Sequence, residues 1–588
     1  MALKTRNLGL LTLSLLSVAV GVITGFGAIL FRMLIALIHN VFFLGTFSTV
    51  YDANLFTPAS PWGAFVILVP VIGGLIVVFL VTNFAPEARG HGVPEVLDAI
   101  YYKEGKIRPV VAAVKSLASA FSIGSGAAVG REGPIIQIGA TLGSSVGQII
   151  PMMPWQRITL VAAGAGAGIA ATFNTPIGGV MFAIELMLPE VSVRTFLPVA
   201  LATGTATFIG HLFLGLMPAF DVPVAQMADK PATLVALLLF ALLGAIIGVA
   251  ATVFIRGLHF AEEVFEAIRN SYLRNIIGML MVGGLMYGLF VARGQYFVDG
   301  VGYATIQAIL QTNLTSVGLL AILFFAKLFA TSVSLGSGAS GGIFSPSLFM
   351  GATLGGAFGA AVQAFVTVPG IDVVNCAMIG MAAMVGGGTG AAMTAVVMIF
   401  EMTRDYGVIM PIIVAVAVAI GVRRLLSSES IYTIKLVGRG HAIPKAMHAN
   451  MFLVRHATQV MDKDFVVLPA ETGFDAFLRQ TAKNGMKHIV VTRGDRIAGV
   501  LRINTELRHG LEDSYTGITL GDIAVKNYTI ARSGDVLFNI VDRMARHRTS
   551  MVIVAKGGGR PRAGQVVGII AKEHIADSVA ESLSPLSP

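Results

Sequence analysis

Cysteine is almost missing from this chain, and charge is scarce. The single cysteine, Cys376, lies in an apolar stretch, which excludes an intramolecular disulfide framework. Charged residues make up only 12% of the 588 positions, where a soluble globular chain carries roughly 25%. So little charge cannot cover a solvated surface of this size. No basic run is interleaved with aromatics, so the net charge of +9 does not indicate a nucleic-acid partner. There is also no nucleotide-binding glycine loop, no metal-ligand spacing and no nucleophile–base pair. The sequence therefore supports neither an enzyme nor a metal centre.

Apolar residues and glycine are plentiful, at 55% and 68 residues. Runs of membrane-spanning character occupy about 8–31, 65–81, 197–216, 234–253, 276–291, 317–329 and 409–420. Lys4, Arg6, Arg423 and Arg424 flank such runs, as the positive-inside rule expects. The first run shows no small-residue cleavage site, so a retained membrane helix is expected there. Between the long runs lie shorter glycine-rich pieces, at about 135–150, 160–172, 178–187 and 378–400. They point to tilted or partial helices.

Two of these regions are near copies. GSGAAVGREGPIIQIGATLGSSVG (124–147) and GSGASGGIFSPSLFMGATLGGAFG (336–359) share the opening GSGA, a central proline (Pro134, Pro346) and GATLG. A weaker echo pairs GVMFAIEL (179–186) with AVVMIFEM (395–402), each with a glutamate at the same place. A membrane protein of two related halves, inverted relative to each other, is expected, with its substrate site where the halves meet. Broken backbone at membrane depth is tolerated only where protein or a cavity surrounds it.

Three segments join glycine to a following proline: Gly90-His91-Gly92-Val93-Pro94, Gly130-Arg131-Glu132-Gly133-Pro134 and Gly341-Gly342-Ile343-Phe344-Ser345-Pro346. Each suits the start of a helix, where free N–H groups carry about half a positive charge. Several such ends together make an anion site. Partial charges suit a transport path because they bind without trapping. Glu132, an ionisable group within the membrane, is a functional candidate on that ground alone.

These segments resemble the signatures of the CLC family of chloride channels and proton/chloride antiporters. The resemblance implies a homodimer in the bacterial inner membrane with a separate pore per subunit, carrying chloride or similar monovalent anions and protons. It implies anion contacts at His91, Gly92, Ile343 and Phe344. Glu132, within the motif of Gly130, Arg131, Gly133 and Pro134, would be the external gate and proton carrier. Tyr432 matches the tyrosine that donates to the central anion from the inner side; a phenol is a neutral donor. Two positions depart from the pattern. Leu186 stands where antiporters often carry an inner proton-transfer glutamate, and His91 where serine or proline is usual. Coupled exchange is the expected activity, with a passive pH- or voltage-gated channel as the alternative. A divalent-cation transporter is a remote one, since Glu95, Asp98, Glu185 and Glu401 show no ligand spacing.

Beyond Arg424 the long apolar runs stop. A second duplication follows, each unit reading as strand, amphipathic helix, strand, glycine-containing turn and strand. It resembles a pair of cytoplasmic CBS domains. Nucleotide-binding members carry an Asp after a Thr or Ser that follows the Gly-led strand. Here those stretches read GVLRINT (499–505) and GIIAKEH (568–574). No cofactor is expected, and adenine nucleotide has little support. The expected fold is thus an all-α polytopic membrane protein of two inverted repeats with broken, tilted helices, plus a cytosolic α/β CBS pair. Its segments are an N-terminal part with the first membrane helix (1–58), two membrane halves (59–216, 217–430), a linker (431–456), the two CBS units (457–511, 512–580) and a tail (581–588).

Overall fold

The computed structural model describes residues 6–216, 218–222, 233–441, 443, 451–473, 477, 488–502, 518–557 and 561–583. It divides into two compact units, Met1–Ile443 and Pro444–Pro588.

The first unit is helical. Its opening helices are α1 (Leu10–His39), α2 (Val69–Asn83), α3 (Val93–Tyr102), α4 (Val110–Gly124), α5 (Glu132–Ile149), α6 (Pro154–Phe173), α7 (Pro176–Phe182) and α8 (Val193–Leu214). There follow α9 (Leu234–Glu266), α10 (Ser271–Arg293), α11 (Tyr303–Leu310), α12 (Val317–Gly336), α13 (Phe344–Phe365), α14 (Val373–Thr389), α15 (Ala392–Thr403), α16 (Ile409–Leu426) and α17 (Ile434–Gly438). Among the described residues, eight helical stretches are long and apolar enough to cross a membrane. The chain is an integral membrane protein. At 1.5 Å per residue, α3 and α11 cover about half of a 30 Å hydrocarbon layer, so their ends lie inside protein.

The helices repeat in order, α3–α8 matching α11–α16. The GATLG copies show why the motif is kept. A side chain on Gly139 would sit 2.1 Å from the Gly164 carbonyl oxygen, and one on Gly351 would sit 2.4 Å from that of Gly380. The glycines thus bring α5 against α6, and α13 against α14, at backbone distance. The reciprocity extends to the glutamates of the weaker echo. Glu185 accepts from the N–H groups of Met393 and Thr394 at the start of α15 (3.1 and 2.8 Å). Glu401 accepts from those of Ile177 and Gly178 at the start of α7 (3.1 and 2.6 Å). Each half caps a helix of the other, the acidic group lying at the positive end.

One apolar piece read as continuous, 378–400, is two helices. Gly390 takes a left-handed conformation (φ 82°) and ends α14. Asn174 (φ 61°) ends α6 in the same way. Composition marked the break at Asn174, where Thr172, Asn174, Thr175 and Pro176 interrupt the apolar run, and not the one at Gly390, which sits among glycines and alanines.

The second unit holds two three-stranded sheets of one design. In the first, β1 (Phe465–Pro469) runs parallel to β2 (His488–Arg493), which pairs antiparallel with β3 (Arg496–Arg502). In the second, β4 (Thr529–Arg532), β5 (Met551–Ala555) and β6 (Val566–Ala571) repeat that order. Helix Leu537–His547 joins β4 to β5 and buries Leu537, Ile540 and Met544. The corresponding helix of the first copy, and residues 503–505 of GVLRINT, lie outside the described residues.

Candidate anion-binding site

The three glycine–proline segments, far apart in sequence, meet backbone to backbone. Gly130 N–H donates to the Gly342 carbonyl at 2.7 Å, and Gly342 N–H donates back to that of Gly130 at 2.6 Å. Gly90 N–H donates to the Ala339 carbonyl, and Gly341 N–H to that of Gly90. Closure requires bare backbone at Gly133, where a Cβ would fall 2.3 Å from the His91 carbonyl oxygen. The N-termini of α3, α5 and α13 are thereby brought to one place, with Pro94, Pro134 and Pro346 in their first turns.

Loop positions are fixed by two lysines, each fully buried. Lys115 on α4 donates to the carbonyls of Ala88 and Gly90 (2.9 and 2.7 Å), holding the loop ahead of α3. Lys327 on α12 donates to those of Val298 and Gly300 (both 2.9 Å), holding the loop ahead of α11. Each lysine lies nine residues before the first glycine of its GSGA copy. An ammonium shared between two carbonyl oxygens places two of its three donors without a carboxylate partner.

Glu132 is completely buried and occupies the convergence point. One carboxylate oxygen accepts from Ser345 N–H (3.2 Å) and the Ser345 hydroxyl (2.5 Å). The other accepts from the Tyr303 phenol, which also lies 3.0 Å from the Ser345 hydroxyl. The carboxylate thus sits among donors suited to a small anion. Its neighbour Arg131 does not pair closely with it: Nε is 3.9 Å from the nearer oxygen, and the guanidinium lies over the Tyr303 ring, 5.1 Å from its centre. A cavity of about 370 Å³ opens on this side, lined by Arg32, Asp52, Arg131, Phe173, Asn174 and Tyr303.

His91 and Tyr432 belong to the same locality. Both are buried, with ring centres 5.9 Å apart. The His91 Nδ1 is buried without a hydrogen-bond partner. Gly92, left-handed at φ 84°, caps α3, and Ile343 caps α13 immediately before Phe344. The segments carrying His91, Gly92, Glu132, Ile343 and Phe344 thus meet at the starts of α3, α5 and α13, with Tyr432 beside His91, while Glu185 and Glu401 lie at the starts of α15 and α7. Sequence reasoning missed Tyr303, Ser345 and the lysine pair. The signal was present: Gly300-Val301-Gly302 ahead of α11 echoes Gly90-His91-Gly92 ahead of α3.

In the second unit, Asp462, His488 and His574 approach one another, with Asp462 Oδ2 3.7 and 3.8 Å from the two Nε2 atoms. His574 Nδ1 accepts from Ala571 N–H at 3.1 Å. That leaves the proton of its neutral ring on Nε2, a donor towards Asp462 rather than a metal ligand.

The model of the voltage-gated chloride channel family matches residues 73–424. The chain belongs to that family. It is 33% identical over 380 residues to the H(+)/Cl(−) exchange transporter ClcA of Vibrio parahaemolyticus, covering 62% of this chain and 78% of that one. With the same transporter of Yersinia pseudotuberculosis it shares 30% over 440 residues, covering 73% and 88%. Among solved structures it resembles a slow cyanobacterial Cl−/H+ antiporter (TM-score 0.64, 26% identity, covering 73% of this chain and 97% of that one). A eukaryotic CLC transporter shares the fold over 96% of this chain and 98% of its own (TM-score 0.59, 19% identity).

Proposed function

We infer that this family member exchanges chloride for protons across a membrane. One observation carries the reading: the Glu132 carboxylate sits at the convergence of helix N-termini and takes the Ser345 N–H that an anion would otherwise use. A carboxylate in an anion's seat couples the two substrates. Ionised, it competes with chloride. Protonated, it loses its hold on the donors and leaves the seat to the halide. Gate and proton carrier are one group. The inner end of the halide path is Tyr432, a neutral donor beside His91. Leu186 carries no proton, so the inner proton route uses His91 or water.

For the surroundings, the homodimer of the bacterial inner membrane is part of the same reading. The second unit is read as a cytoplasmic CBS pair, supported by its duplicated sheets. It is read as assembling without adenine nucleotide, since His574 occupies the acidic position and Glu573 is paired with Arg502.

The test is flux in chloride-loaded proteoliposomes, following chloride and protons together. Uphill proton movement driven by the chloride gradient is the expected result. Chloride movement with no proton movement would establish the passive channel instead.

A further inference from the structure

The gate has a partner that the family signatures do not contain. Tyr303 opens α11, the repeat counterpart of α3, and its phenol donates to the Glu132 carboxylate. Several features hold the ring in that position. Its loop is tied down by Lys327 through the Val298 and Gly300 carbonyls. Gly302, left-handed at φ 79°, turns the chain into the helix. Phe220 meets the ring edge-on at 5.3 Å, and the Arg131 guanidinium covers it at 5.1 Å. The side chain is 2% exposed. A donor this fixed spends no rotational freedom when the carboxylate arrives.

Resting on the reading of Glu132 as gate, we propose that Tyr303 is a positioning residue. Its phenol latches the ionised carboxylate in the anion seat and so sets the pH at which the gate opens. A hydrogen bond to the charged form favours that form, and charge-assisted bonds are the strong ones. The groups facing Glu132 are few. Arg131 stands on its own segment, Tyr303 on α11 and Ser345 on α13. The charge of Lys327 on α12 also reaches the site, and the neutral Tyr432 phenol lies within the field of the carboxylate. Arg32 faces Arg131 and Tyr303 across the cavity. Of the titratable groups among these, only Tyr303 donates a hydrogen bond to the carboxylate in the described structure. Ser345, its other hydroxyl donor, also supplies backbone N–H to the seat.

The experiment measures chloride and proton flux against pH in proteoliposomes for the unaltered protein, Tyr303→Phe, Glu132→Gln and the double variant. Without the latch the carboxylate takes its proton at higher pH. Tyr303→Phe is therefore expected to move the midpoint of chloride flux upward by about one pH unit, the size of one such hydrogen bond. In the Glu132→Gln background the same change should shift nothing. Site-specific 3-fluorotyrosine at 303, a stronger donor, should move the midpoint downward, an ordering that packing alone does not produce. It carries the test if Tyr303→Phe does not assemble. An unmoved midpoint in either variant, with Glu132→Gln itself abolishing the pH dependence, overturns the latch. Glu132→Gln retaining coupled, pH-dependent transport overturns the gate reading instead.

Discussion

The two copies of the central repeat share a backbone and differ in chemistry. Gly130 and Gly342 exchange hydrogen bonds, Lys115 and Lys327 pin matching loops, and Glu185 and Glu401 cap each other's helices. At the seat itself the symmetry stops. In the register that pairs Pro134 with Pro346, Glu132 stands opposite Phe344 and Gly133 opposite Ser345. In the loops before α3 and α11, His91 stands opposite Val301. Two similar halves build the cage, and in the proposed exchange the single carboxylate at Glu132, which the matching Phe344 lacks, makes the shared seat responsive to protons. An anion held by two identical faces would have no gate. The asymmetry turns a binding site into an exchanger.

The largest effect should come from removing the group found in one copy only. Glu132→Gln is expected to cut proton flux at least about a hundredfold, the scale of losing a positioned proton-transfer group. Chloride flux should persist and lose its pH dependence. Phe344→Leu, at the matching place, should leave coupling intact because that position contributes through its backbone. Paired proton and chloride flux measurements decide both. If the two variants behave alike, the asymmetry has no functional meaning.

The lysines test the symmetric part. Lys327→Met leaves the Val298 and Gly300 carbonyls without their lysine donor, at about 1–3 kcal/mol per group. After Lys115→Met the Ala88 carbonyl keeps the Ser340 hydroxyl and the Gly90 carbonyl keeps the Gly341 N–H. Thermal denaturation in detergent should therefore show the larger loss for Lys327→Met. Their functional effects should diverge: Lys115 supports the loop carrying His91, and Lys327 the loop leading to Tyr303. Anion affinity should suffer more in the first, and the pH midpoint of flux should move more in the second.

A smaller change is expected at His91. Converting it to serine should alter halide-over-nitrate preference by a few-fold, about 1 kcal/mol or less, as read from competitive anion flux. Unchanged preference and pH dependence would make His91 a packing residue.

The smallest effect contrasts the duplicated sheets. His488 opens β2 where Met551 opens β5. Burial, reinforced by His574, holds the His488 imidazole below its ordinary value against the pull of Asp462. Protons then favour the unfolded segment, so this contribution to stability is full above about pH 6.5 and is lost as pH falls through the depressed value. Proteolysis of the intact protein should show greater acid sensitivity of the second unit with His488 than with His488→Met.

Much of this was legible because the site is built from repeats. Gly130–Pro134 and Gly341–Pro346 announced helix starts by glycine and proline, and duplication placed them together. Tyr303 was missed because a lone tyrosine beside an apolar stretch carries no signal of its own; only the Gly300-Val301-Gly302 echo of Gly90-His91-Gly92 pointed to it. Its role comes from the Gly-x-Gly loop that aims it. The break at Gly390 was hidden for a related reason: composition reports where the chain is apolar, not which glycine has turned left-handed. The parallel pairing of β4 with β5 is likewise fixed by the returning helix Leu537–His547 rather than by strand composition.

The central claim is that the carboxylate and the halide share one seat. A structure of Glu132→Gln grown with bromide tests it most directly. Anomalous density beside the Ser345 N–H, where the carboxylate oxygen lies in the unaltered protein, is the predicted result. An empty seat in that variant, or bromide there in the unaltered protein with the carboxylate still in place, would contradict it.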